Sequence, residues 1–161
     1  MSERCLEIGL LLYPGAQLAA VHGLGDLFSV ANRMATGQER QAVPRLRVSH
    51  WQVEGDQPPT RTYASHAGDD SALLAVLIPP SIGGFSAAQA PASLMQWLRD
   101  QHARGATLGG VCVGSLMLAE SGLLDGRSAT THWTSAKAFA ERYPKIKLKA
   151  DTPIVDDGDL I

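Results

Sequence analysis

The chain has 161 residues, with 14 Lys and Arg against 16 Asp and Glu, for a formal charge of -2. At 45% hydrophobic and 19% charged residues it has the balance of one globular domain, and its length fits the usual single-domain range. Two cysteines, Cys5 and Cys112, are too few for a disulfide-stapled scaffold and match no zinc-ligand spacing. No basic stretch leads into an apolar one at the N-terminus, and no apolar run approaches the ~18 residues of a membrane span. A reducing cytoplasm, with no membrane contact, is the expected compartment. An isoelectric point near 6.2 argues against a basic nucleic-acid-binding face, since phosphate neutralisation needs clustered Lys and Arg.

Residues 5–12 form an almost continuous apolar run closed by Tyr13-Pro14-Gly15, the pattern of a buried strand. From residue 17 to 34, Leu18, Val21, Leu24, Leu27, Phe28 and Ala31 recur every three or four positions, which predicts an amphipathic helix. Residues 46–53 alternate and read as a strand, and a weaker extended segment follows over 61–65. The second strongly apolar run, 73–78, opens into Pro79-Pro80-Ser81-Ile82-Gly83-Gly84. A helix is expected over 91–102, a strand over 107–112 and a helix over 113–121, closed by Gly122. A short extended piece follows Asp125-Gly126, then a helix over 135–142, an alternating segment at 146–149, and a hairpin-type turn at 156–159 reached from 153–155. Apolar strands alternating with helices predict an α/β sandwich: a mostly parallel central sheet with helices on both faces.

The junction Gly109-Gly110-Val111-Cys112-Val113-Gly114-Ser115 carries the most chemical information. A strand passes into a helix with almost no loop, and Gly-x-Cys-x-Gly at such a junction is the pattern of a nucleophile elbow. A sulfur at a helix N-terminus is stabilised as thiolate by the helix dipole and free amides. The Val113 N–H would face an oxyanion formed there, and Gly83-Gly84 could supply a second donor. Cys5, inside an apolar strand, reads as a core residue. Neither a Walker pattern nor Gly-x-Gly-x-x-Gly is present, so no nucleotide cofactor is expected, and no metal.

A nucleophilic cysteine needs a base, and five histidines are available. His132, in Thr130-Thr131-His132-Trp133, follows the elbow helix by a short turn and returns to the same sheet edge. His50, in an alternating strand, and His102, near Arg104 at a helix end, read as solvated. His22 lies on the first helix, and His66 in a polar segment with Ser65 and Asp69-Asp70.

The tract from Gly110 to Ser115, through Ser121-Gly122-Leu123-Leu124-Asp125-Gly126-Arg127 to Ala129-Thr130-Thr131-His132-Trp133, resembles the PfpI-type, class I glutamine-amidotransferase-like domain. More specifically, it resembles the version at the N-terminus of AraC-family transcriptional regulators. The likeness extends to Tyr13-Pro14-Gly15, to the Gly83-Gly84 loop and to Val155-Asp156-Asp157-Gly158-Asp159, and so spans nearly all of residues 1–161. It implies a three-layer flavodoxin-like sandwich, often dimeric, with a cysteine at the elbow. It further implies that the domain stops short of a final strand and helix, and that a helix-turn-helix DNA-binding domain follows residue 161.

In enzymatic members of that family, such as isonitrile hydratases, an acid on the first helix approaches the cysteine. Aligning from Pro14-Gly15 puts Ala20 at that position, and Asp26, two turns on, belongs to another one. The first expectation is therefore a ligand-sensing and dimerisation domain that takes a small-molecule effector between Ala20, Gly83, Gly84, Cys112, Val113 and His132. As a homodimer it would reach DNA only through the helix-turn-helix domain. The alternatives are a cysteine-dependent hydratase or hydrolase with Cys112 as nucleophile and His132 as partner, or a redox sensor oxidised at Cys112.

Overall fold

The computed structural model describes residues 5–36, 44–68, 72–83 and 90–161. In chain order these form β1 (Cys5–Leu12), α1 (Leu18–Thr36), β2 (Arg45–Gln52), β3 (Thr60–Ala64), β4 (Leu73–Ile78) and α2 (Ala92–Ala103). Then come β5 (Thr107–Gly110), α3 (Gly114–Glu120), β6 (Ser128–Ala129), a 3-10 turn (Trp133–Ser135), α4 (Ala136–Arg142) and β7 (Lys147–Leu148). The main sheet runs β3-β2-β1-β4-β5, parallel throughout except for β3, which is antiparallel to β2.

β1 is central, and its apolar run is buried on both faces, as a parallel strand between helices must be. On one face Ile8, Leu10 and Val48 pack with Val21 of α1. On the other, Leu11, Val76, Ile78 and Leu108 pack with Leu94 and Leu98 of α2, Met117 and Leu118 of α3, and Phe139 of α4. This is the expected three-layer sandwich. After β1 the chain crosses to β2 on one side, and β4 and β5 are laid on the other. The strand order thus reverses between β1 and β4, where open α/β sheets form a crevice at the strand C-termini.

The strands are not uniformly apolar. Glu7 and Arg47 are each only 1% exposed, stand opposite one another in the β1–β2 register, and form a buried ion pair. Arg61 of β3 reaches the same carboxylate at 3.4 Å. Burial pushes the Glu7 carboxyl up, but hydrogen bonds from Ser49 and Arg47 and the charges of Arg47 and Arg61 outweigh it and hold the carboxyl below its ordinary range. A slip of one residue would put this pair on opposite faces, so it fixes the register.

Two local expectations are corrected. The alternating segment near 146–149 contributes only β7, which pairs parallel with β6 in a separate two-stranded sheet. The hairpin-type turn at 156–159 is closed by Asp157 N–H donating to Leu160 O at 2.9 Å, but its outgoing arm pairs with β5 and not with a local strand. Gly158, at φ 89°, turns the chain alongside β5, where Leu108 N–H donates to Asp159 O at 3.0 Å and Gly110 N–H to Ile161 O at 2.8 Å. The open edge of β5 offers unpaired backbone groups that a local hairpin would leave unsatisfied. Arg127 Nε holds Asp157 at 2.7 Å, and His102 holds Asp159 at 2.6 Å, fixing the segment there.

Candidate functional site

β5 ends at Gly110, two residues earlier than the sequence pattern predicts, and α3 starts at Gly114. Between them Cys112 has φ 57°, and among the described residues it alone combines a side chain with positive φ. That conformation costs a residue bearing Cβ roughly 1–2 kcal/mol. Neither flanking glycine has positive φ; both are needed for close approach. A Cβ on Gly110 would lie 2.8 Å from the backbone nitrogen of Ser115, and one on Gly114 would lie 2.5 Å from the Ile78 carbonyl oxygen. The tight packing is taken up by the glycines and the backbone strain by the cysteine.

The turn is fastened from below. Val111 N–H donates to Ile78 O at 2.9 Å, and the Ser115 hydroxyl donates to Cys112 O at 2.7 Å. Thr131 Oγ1 reaches the same carbonyl at 3.5 Å. Val113 is the N-cap residue of α3, and no side chain caps that helix. Behind the elbow, a cavity of about 20 Å³ lined by Gly110, Ser115, Leu118, Ala129 and Ile161 holds one water-sized space.

The facing wall comes from the loops after β1 and β4. The Tyr13 hydroxyl donates to Pro79 O at 2.6 Å, and burial, followed by the nearby charge of Cys112, pushes its phenol up to about 12. Gln17 N–H donates to Pro80 O at 2.7 Å and Ile82 N–H to Gly15 O at 3.1 Å, which sews the two loops together. Gly83 is exposed at the end of that wall, whereas Gly84 lies outside the described residues. Ala20 sits half-buried in the first turn of α1, at the same edge of the sheet.

His132 lies at the start of the 3-10 turn, and its hydrogen bonds run to Thr134. Its Nδ1 accepts from Thr134 N–H at 3.3 Å and lies 2.6 Å from Thr134 Oγ1. Trp133, beside it, is 75% exposed and leaves an apolar lip at the edge.

Residues 63–161 match the sequence model of the DJ-1/PfpI family. The chain belongs to that family. It is 45% identical over 76 residues to the HTH-type transcriptional regulator CdhR of Pseudomonas aeruginosa, an alignment covering 47% of this chain and 23% of the regulator. It is 29% identical over 157 residues to an isonitrile hydratase of Pseudomonas putida, covering 96% of this chain and 63% of the enzyme. The chain thus spans less than two thirds of either relative. In structure it is similar to an AraC family transcriptional regulator of Pseudomonas putida, with a TM-score of 0.64 at 18% identity, covering 96% of this chain and 81% of that one.

Elsewhere in this DJ-1/PfpI chain, three sequence readings are corrected. His50 is not simply solvated: it is half-buried, 6.1 Å from the His22 ring and 4.7 Å from that of Tyr63. Burial and then the His22 charge push its pKa down. His102 is bound to Asp159. Cys5 is half-buried, with His66 beside it, and is not sealed in the core. Tyr13, Ser115 and Thr131 were not legible as elbow partners; Tyr13-Pro14-Gly15 signals only the end of a strand. Among the described residues no group of three or more His, Cys, Asp or Glu side chains converges on a metal site, and no helix is long and apolar enough to cross a membrane.

Proposed function

We propose that this DJ-1/PfpI chain is the ligand-sensing and dimerisation part of an AraC-type transcriptional regulator, in which Cys112 marks the effector site. A small molecule would bind on the outer side of the elbow, bounded by Ala20, Gly83, Gly84, Val113 and His132. DNA would be reached only through a helix-turn-helix domain beyond residue 161. The likeness to CdhR supports this reading.

The observation that carries the proposal is the strained turn at Cys112, where the side-chain hydrogen bonds among the described residues reach its backbone carbonyl and none reaches its thiol. On the resemblance, Ala20 stands where enzymatic members carry an acid, and the Tyr13 hydroxyl donates to Pro79 O. General acid–base assistance is worth ~100- to 10,000-fold in rate, so its loss leaves a binding site and a poor catalyst. The second reading, a cysteine-dependent hydratase, is favoured by the likeness to isonitrile hydratase.

One experiment separates the two. The protein is incubated with an alkyl isonitrile while product is followed by chromatography, and, in parallel, with a soluble metabolite extract followed by native mass spectrometry. The sensing reading expects a small molecule captured unchanged, weakened by Ala20→Phe, and no isonitrile turnover above a Cys112→Ser control. Multiple turnovers that disappear in Cys112→Ser would establish the enzyme instead.

A further inference from the structure

Cys5 opens β1 at the N-terminal edge of the parallel sheet, whereas Cys112 follows the C-terminal end of β5. At ~3.3 Å per residue, an eight-residue strand puts the two thiols at opposite edges. Cys5 Sγ lies 3.6 Å from Nε2 of His66, and Nδ1 of His66 lies 2.9 Å from the Ser65 hydroxyl oxygen. Ser65 is itself fixed: its N–H donates to Val48 O at 2.8 Å, and its Oγ accepts from Val48 N–H at 3.1 Å. The turn carrying His66 is therefore tied to β2 at two points and holds the imidazole against the sulfur. Both Cys5 and His66 are only partly buried.

In this geometry the imidazole can take the thiol proton. Each N–H of the resulting imidazolium then has an acceptor, Nε2–H the thiolate and Nδ1–H the Ser65 oxygen. An imidazole beside a thiol is the arrangement that raises the thiolate fraction, and the thiolate is the nucleophile in disulfide exchange.

We propose that Cys5 and His66 form a second thiol site, independent of the Cys112 elbow, that exchanges with low-molecular-weight disulfides. In the step, the Cys5 thiolate attacks one sulfur of the disulfide. A new S–S bond to Cys5 forms as the reagent's S–S bond breaks, and the other half leaves as a thiolate that takes the proton from His66. The disulfide is the oxidant, and the product is a mixed disulfide at Cys5. The site gives the domain a thiol-redox input at the edge opposite the elbow.

The test uses oxidised glutathione as the probe and reads both cysteines by peptide mass mapping between pH 6 and 8.5. At pH 6.5, Cys5 of the native protein is expected to react faster than Cys5 of the same chain unfolded in urea. His66→Gln is expected to slow Cys5 several-fold, because the leaving proton loses its acceptor, and to leave the Cys112 rate unchanged as the check on folding. The native-against-unfolded comparison needs no variant, and native Cys5 reacting no faster than unfolded Cys5 would overturn the proposal. So would a His66→Gln protein with an unchanged Cys5 rate and pH profile.

Discussion

Gly114 is pressed so closely on Ile78 that a Cβ at the glycine would stand 2.5 Å from the Ile78 carbonyl oxygen. The first turn of α3 therefore rests directly on the end of β4, and this contact sets where the elbow stands above the sheet. Gly114→Ala must move backbone against backbone, with an expected loss of about 1–3 kcal/mol in urea denaturation. Gly23→Ala is the contrast: nothing lies within 4 Å of a Cβ in that helical position, and it should gain about 0.5–1 kcal/mol. Equal effects of the two substitutions would contradict the packing account.

The elbow places its strain on Cys112, at φ 57°. Cys112→Gly relieves that strain, and should be as stable as Cys112→Ala or more so, although Gly loses more entropy on folding. Cys112→Val puts a β-branched side chain in the same region and should be the least stable of the three. Thermal unfolding of the set checks the order; a glycine variant least stable of the three would show that the turn is not strained.

The pKa of His50 in the folded chain lies below its ordinary value of 6.5, because of burial and then the His22 charge. The unfolded chain therefore binds the proton first, and stability rises with pH across this window. The His50 contribution is fully present above pH 6.5 and is lost as pH falls through the lower, folded value. Melting temperatures between pH 5 and 7.5 should fall on the acid side for the native protein and fall less for His50→Gln. Parallel curves would mean that His50 titrates alike in both states.

The dimer that is part of the proposed function has a surface available on α1. Leu27, Val30 and Met34 fall along its outward side and are 59%, 46% and 69% exposed. The proposed dimer would bury this stripe of three large apolar side chains. Leu27→Glu with Met34→Glu should convert a dimer to a monomer in sedimentation velocity at unchanged helix content. A dimer that survives both substitutions places its interface elsewhere.

The architecture was legible because parallel strands buried on both faces read as continuous apolar runs, and 5–12 and 73–78 became β1 and β4 within a residue. The tight strand-to-helix turn at Cys112 was legible because Gly110 and Gly114 flank it. Side-chain pairing across the sheet was not. Glu7 and Arg47 are forty positions apart, and only the β1–β2 register shows that they neutralise each other. The contact that holds His132 was equally hidden, since it depends on the Thr134 amide folding back onto Nδ1. The same is true of Cys5: its apolar strand hides that His66 arrives from a distant turn.

The central claim is that the effector sits against Cys112, and alkylation of that thiol tests it most directly. Iodoacetamide labelling is followed by peptide mapping with and without the metabolite fraction that the protein captures. The account predicts that labelling of Cys112 slows about tenfold or more at saturation, as occupancy above roughly 90% requires, while Cys5, at the opposite edge, labels at its original rate. Cys112 labelling that is unchanged while the ligand is demonstrably bound would contradict it.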